Sequence, residues 1–565
     1  MGSPTFPEPP PSIPDTDFAA LDAAVERVAQ QKEAWAKLGI ADRLRVLEGM
    51  VDSVQAQAEG WAKASCKAKG IDYDSPMAGE EWLAGPYQLA RNIRLLIETL
   101  KENGKRKPAS IRRRPDGQAI AKVFPMDALD KIMFTGFTGE VWIEPGQEPT
   151  QGATYGENPP SGKVCLVLGA GNISCIGPMD VLHKMFIDNE VCVLKMNPVN
   201  DYSGPFVEKA MKSLVDAGYL AVVYGGAEVG KHLTAHDDIE TIHITGSAAT
   251  HDAIVWGGTP EEQEKNKTAG TPKCTKPISS ELGAVTPLLV VPGPWSDKEI
   301  QFQAQHVAGM ISHNASFDCN AVKVILTAEG WPLREKFLKA VEEALQATPP
   351  RKAYYPGAHQ RYQAFLDQYD QAKPLGERSE EVVPWTLIPN VPASGEEYAC
   401  NNEAFCGVVA DIAIDADDAQ SFLTKAVDFA NDEVWGTLSC AMLVHPETER
   451  AYKEEVEDAV AKLRYGGIGY NVWPGTLFGL VNTTWGAFPG HPLDDIESGV
   501  GYVHNTLLLD HPQKSVFRGP FVIKPKPVWF PHHKTLKEMG IALTRFEAAP
   551  SFLALPGVIW NALRG

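Results

Sequence analysis

The stretch Lys163-Val-Cys-Leu-Val-Leu-Gly-Ala-Gly-Asn-Ile-Ser174 decides the fold class. Val164 to Leu168 is an unbroken apolar run, it ends at a glycine turn, and a helical segment over Asn172 to Ile187 follows. A strand apolar on both faces is one covered by helices on both faces, which is the condition of a parallel sheet. The same alternation continues. Strands are expected at Val191–Lys195, Leu220–Tyr224 and Thr241–Ile244, with helices at Tyr202–Ala217 and Val229–Ala235 between them. A second alternating block runs from the strand Leu288–Val291 through Cys319–Thr327 and Gly407–Ile414 to Ser439–Val444. The fold class is therefore α/β with two doubly wound domains, whose ligand crevices lie beyond the strand C-termini.

Outward from these blocks the pattern changes. Phe18–Ala58 and about Glu80–Leu100 carry helical periodicity, whereas Ile111–Pro160 reads as short β-rich pieces forming an extended arm. Gly257–Ile278 is polar, without apolar periodicity, and is expected to be a mobile loop. Beyond Phe517 the apolar residues are too many for a solvated tail, so this C-terminal extension is expected to pack on the fold or across a subunit contact, near a substrate entrance.

Composition narrows the function class. The 565 residues carry a net charge of -20, which disfavours nucleic acid and anionic membrane surfaces as partners. No run approaches the roughly 18 apolar residues of a membrane span. The nine cysteines are dispersed without paired spacing, so no metal site is proposed, and reduced thiols in a cytoplasmic protein are expected.

The chemistry-bearing residues sit at element ends. His313-Asn-Ala-Ser-Phe-Asp-Cys319 places one thiol among small and polar residues, and Glu281 opens Glu-Leu-Gly283 upstream of a strand. Covalent catalysis on a carbonyl needs this pair: a thiolate to attack and a carboxylate to take a proton from thiol or water. Gly169-Ala-Gly-Asn172 follows a strand, with Glu190 about twenty residues on, but Ser174 stands where a third dinucleotide-binding glycine belongs. Lys195 ends a strand and can donate to ribose hydroxyls or a phosphate. Thr245-Gly246-Ser247 ends another and suits a pyrophosphate. Glu403-Ala-Phe405 sets an acid and an aromatic two positions apart.

In this order and spacing, these residues resemble the aldehyde dehydrogenase superfamily over about residues 18–505. The resemblance implies a Rossmann-like cofactor domain (18–110 and 161–285) and a catalytic domain (286–475). It also implies a bridging and oligomerisation arm (111–160 and 476–510) that makes a homodimer or homotetramer. Residues 1–17 are left as a disordered tail and 511–565 as a C-terminal extension. It further implies oxidation of an aldehyde with NAD or NADP, through a thioester on Cys319. Asn172 would hold the oxyanion and Glu281 would activate the hydrolytic water. Lys195 and Glu403 would hold the riboses, Gly246, Ser247 and Gly283 would border the cofactor, and Phe405 would pack near the nicotinamide.

The chain departs from the family pattern beside the nucleophile, where Ser316-Phe317-Asp318 replaces the usual glycine and glutamine, and Asp318 is expected to raise the thiol pKa. Ala170-Gly171 also replaces the family's Pro-Trp. A CoA-acylating dehydrogenase, a thiol esterase and a non-catalytic scaffold of the same fold stand as alternatives.

Overall fold

The structure is a computed structural model that describes residues 2–4, 6–156 and 159–565. Its first sheet contains β4 (Lys163–Leu168), β5 (Glu190–Lys195), β6 (Leu220–Val223), β7 (Thr241–Gly246) and β8 (Ile278–Leu282). These strands are parallel in the order β8-β7-β4-β5-β6. Val164 through Val167 have no exposed surface, which stabilises the sheet by about 1.5–3 kcal/mol per fully buried aliphatic side chain. β4 lies between β5 and β7, so the ends of all three strands open onto one crevice, the place where doubly wound sheets hold ligands.

The second sheet joins what the sequence reading separated. Its arm strands are β1 (Ser110–Arg113), β2 (Ala119–Phe124) and β3 (Thr138–Ile143). Its further strands are β9 (Thr286–Val290), β10 (Val322–Ala328), β11 (Lys373–Pro374), β12 (Thr386–Val391), β13 (Val408–Ile414), β14 (Ser439–Leu443) and β15 (Gly467–Tyr470). After the short strands β16 (Thr484–Trp485), β17 (Gly499–Val500) and β18 (Val503–His504) comes β19 (Pro512–Arg518). β19 runs parallel to β15 and antiparallel to β3, so eleven strands form one continuous sheet. Phe517, read as the start of an extension, is thus buried in the seam of that sheet. β17 instead crosses back to pair antiparallel with β8 in the first sheet.

Three local expectations change. The segment read as a mobile loop contains a helix, Pro260–Ala269, with Thr259 capping its N-terminus, Pro260 in its first turn and Gly270 at φ 63° closing it. Its polarity on every side hid it from an apolar-period reading, although all three capping signals stand in the sequence. The helix expected over Tyr202–Ala217 is two pieces, Gly204–Ala210 and Lys212–Asp216, and the helix expected from Asn172 starts at Ile176.

The tail read as disordered also has specific partners. Ser12 N donates to Asp201 Oδ2 at 2.8 Å, Tyr224 N to Thr16 Oγ1 at 3.0 Å and Ala227 N to Glu8 Oε1 at 3.0 Å. Those partners lie some two hundred residues away, so composition alone could not show them. Met1 and Thr5 of that tail, and Glu157 and Asn158 of the arm, lie outside the described residues. Among the described residues no helix is long and apolar enough to cross a membrane.

Candidate active site

The helix Asp297–Ser312 delivers the chain to the loop that carries Cys319. Its start is set by a capping box between Ser296 and Glu299, worth about 1 kcal/mol. After it, Asn314, Ala315 and Ser316 all take left-handed conformations, with φ 49°, 57° and 66°. For alanine and serine this costs roughly 1–3 kcal/mol each and persists only where surroundings hold it. Lys323 Nζ does so, donating to the carbonyl and hydroxyl of Ser316 at 3.1 and 3.0 Å. Thr286 Oγ1 donates to the Cys319 carbonyl at 3.2 Å and Trp473 Nε1 to that of Asn320 at 3.2 Å.

The Cys319 thiol, held there, donates toward Glu281 Oε1 across 3.6 Å. Trp485 Nε1 donates to the same oxygen at 2.7 Å, while Glu281 Oε2 is buried without a partner among the described residues. Burial, with the nearby charge of Asp180, pushes the Glu281 carboxyl up to about 8. Burial likewise raises Cys319 well above the ordinary thiol range, helped by Glu281, Asp318 and Glu403. Both shifts favour the neutral forms of the pair. Asp318 acts on the thiol in the expected direction but is not the leading cause; its carboxylate meets His313 Nδ1 at 2.7 Å and Asn314 Nδ2 at 3.1 Å.

A polar network behind the loop is absent from the sequence reading. Asn314 Oδ1 accepts from Lys69 Nζ at 2.9 Å and Tyr354 Oη at 3.0 Å, and Lys69 pairs with Glu81 at 3.0 Å with both side chains buried. Tyr354 also donates to the Asn172 main-chain carbonyl at 3.0 Å. The Asn172 amide donates to the Phe317 carbonyl at 2.9 Å, so the residue expected to hold an oxyanion is turned toward the loop that carries Cys319. No local signal marks Lys69, Glu81, Tyr354 or Trp485; each reads as an ordinary helix-end, loop or strand residue.

One cleft of about 1010 Å³ is lined by all nine residues singled out in the sequence: Asn172, Lys195, Gly246, Ser247, Glu281, Gly283, Cys319, Glu403 and Phe405. Burial lowers Lys195 to about 8, against Glu8 and Asp15, and its ammonium reaches only the Met196 carbonyl at 3.4 Å. Glu403 is raised to about 7 by burial, against Lys323 and Arg361, and its Oε1 has no partner among the described residues. A Cβ on Gly283 would lie 1.9 Å from Glu403 Oε2, so only glycine fits that approach. Ser247 caps the helix Ala248–Val255. Glu190 does not share the cleft: it begins β5 at the end opposite Lys195, roughly 16 Å away along the strand. Among the described residues no group of three or more His, Cys, Asp or Glu is placed to hold a metal ion.

The tail lies in this cleft as well. Phe6 to Pro9 line it, and the Phe6 ring meets Phe405 and Tyr355 with centroids 5.2 and 5.0 Å apart. Gly2 N donates to the Asn401 carbonyl at 2.8 Å.

Residues 146–360 match the profile of the Aldehyde dehydrogenase family. Solved structures share the fold. The NADP-dependent glyceraldehyde-3-phosphate dehydrogenase of Bacillus halodurans C-125, complexed with NADP, has a TM-score of 0.59 at 16% identity over 90% of this chain and 92% of that one. The aldehyde dehydrogenase KauB from Pseudomonas aeruginosa has 0.60 at 17%, over 90% of each. A mutant of aldehyde dehydrogenase C from Pseudomonas syringae, complexed with NAD+ and octanal, has 0.59 at 16%, also over 90% of each. Residues 146–360 thus match the family model, and the fold of solved aldehyde dehydrogenases is shared through 90% of the chain.

Proposed function

We propose that the protein oxidises an aldehyde to a carboxylic acid, with NAD or NADP held in the cleft. The observation that carries this reading is the pair Cys319 and Glu281, 3.6 Å apart where the cleft meets a second, apolar cavity. The cleft fits a dinucleotide. Glu403 Oε1 is a buried acceptor without a partner among the described residues, the Lys195 ammonium has only a long contact, and Gly283 leaves room beside the acid. In this reading Lys195 and Glu403 hold ribose hydroxyls, Gly246 and Ser247 border the diphosphate, and Phe405 flanks the nicotinamide. The bound nicotinamide supplies the hydride acceptor that turns a thiohemiacetal into a thioester. The neighbours complexed with NADP and NAD+ share this fold, which supports the assignment.

The chain's own groups carry the rest. Cys319 Sγ bonds to the carbonyl carbon as its proton leaves toward Glu281, and Asn172 turns its amide from the Phe317 carbonyl to the new oxyanion. In the second half, Glu281, once it has given the thiol proton up to solvent, takes a proton from water, the resulting hydroxide adds to the thioester, and the Cys319 thiolate leaves with the acid released. A carboxyl near 8 is strong enough as a base for that water near neutral pH.

The test is to follow reduced cofactor and acid product over a panel of aldehydes, with and without CoA. Acid formed without CoA supports the reading; turnover only with CoA, or no cofactor reduction with any aldehyde, overturns it.

A further inference from the structure

We infer that the substrate is an aldehyde bearing a long, uncharged apolar group, and that the two C-terminal helices form the wall that selects it. This rests on the proposed aldehyde reading only for the identity of the reacting group. A cavity of about 490 Å³, within the size range of small-molecule sites, shares Cys319, Glu281 and Asn172 with the cleft but is lined by none of the residues proposed to hold the dinucleotide. Phe134, Trp473, Phe478 and Trp529 line its inner part. Its outer wall is Met539, Leu543, Val558, Ile559, Ala562 and Leu563, all from the helices Leu536–Ala548 and Leu555–Leu563.

These helices are locked to the fold. Glu547 of the first pairs with Arg91 at 2.9 Å and with Arg94, and the side chains of Arg91 and Glu547 are buried. A Cβ on Gly79 would strike the Leu536 main chain at 2.3 Å, so the helix rests directly on backbone. Thr535 Oγ1 donates to the Asn561 carbonyl at 2.6 Å and ties the second helix to the first. Ile559 and Leu563 are 39% and 68% exposed while lining the cavity, so the wall reaches solvent and its mouth is apolar.

Three charged groups of the cavity are paired within the protein: Arg91 with Glu547, Glu80 with Arg351 at 2.9 Å, and Asp318 with His313 at 2.7 Å, although Arg91 Nη2 is buried without a hydrogen-bond partner among the described residues. The remaining cations are at the rim: Lys524 is exposed, and Lys526 donates to the His532 carbonyl at 3.3 Å. An ion brought inside would meet charges that are already paired among the described residues and would lose its hydration, whereas each methylene gains by leaving water.

The test uses straight-chain aldehydes of increasing length, the same chains with a terminal carboxylate, and the matching primary alcohols, which the thiol cannot attack. Expected is a kcat/KM that rises about fourfold per added methylene until the cavity is filled, with the carboxylated series poorer at every length that keeps the carboxylate inside the cavity. The alcohols should show the same fourfold steps in Kd by calorimetry. Ile559→Glu should flatten the slope for the outermost carbons, and Leu553→Glu, on an exposed residue outside the cavity, should leave it as it was. An active enzyme with a flat series, or one preferring the carboxylated aldehydes, overturns the inference and leaves the proposed function standing. Stepwise alcohol binding with no aldehyde oxidised keeps the apolar cavity and overturns the function.

Discussion

Trp485 Nε1 donates to Glu281 Oε1 at 2.7 Å, the same oxygen that faces the Cys319 thiol. The indole N–H stabilises the carboxylate and so holds its pKa below what burial alone would set. With the proposed role, the hydrolytic half-reaction should rise with pH up to about 8 and then level as Glu281 loses its proton. Trp485→Phe removes the donor, favours the protonated acid and should move that limb up by about one pH unit. A pH–rate profile of kcat in the two proteins checks it; an unmoved limb would mean that another group sets it.

Glu281→Gln keeps the shape and removes the base. A burst of reduced cofactor, about one per site, should precede turnover slowed by roughly a hundredfold to ten-thousandfold. Intact-mass measurement should show the acyl group on Cys319. If there is neither burst nor adduct, Glu281 is needed to form the thiolate, a demand that burial and the adjoining acids make plausible on electrostatic grounds.

Cys319→Ala should abolish oxidation and leave dinucleotide Kd within about twofold, since the thiol faces the carbonyl and contributes little to cofactor contacts. Cys406→Ala is the control: that thiol is buried, and burial raises its pKa, which keeps it protonated and inert.

Phe6 and Glu8 stand in the cleft assigned to the cofactor, so tail and dinucleotide compete for it. Removing the ring contact in Phe6→Ala, an interaction of about 0.5–1.5 kcal/mol, should tighten NAD or NADP binding by roughly two- to tenfold. Calorimetry on full-length protein decides; weaker binding would make the tail part of the cofactor site.

Pro198, three residues after Lys195, lines the cleft and offers neither an acceptor for a ribose hydroxyl nor a charge against a phosphate there. NADP should therefore be turned over along with NAD. Steady-state kinetics with each at saturation checks this, and strict NAD use would point to a different acid in that role.

The sequence by itself determined the parallel strands at the centre of the two sheets and the residues that border the cleft. Val164–Leu168 and its counterparts are continuous apolar runs, and such runs state their burial locally; Asn172, Lys195, Gly246 and Glu281 follow or end strands, where the topology must gather them. Only the tertiary structure decided what surrounds those residues. Trp485 reaches Glu281 across 204 positions and Lys69 reaches Asn314 across 245, and nothing in the neighbourhood of either residue encodes its partner. The same holds for β19 in the sheet seam, the tail in the cleft and the C-terminal helices along the cavity that reaches the thiol. Periodicity reports which face of an element is buried, but not against what. That second fact is set by packing and by the pairing of buried polar groups between distant segments, and it is where the pKa of Glu281 and the shape of the substrate cavity originate.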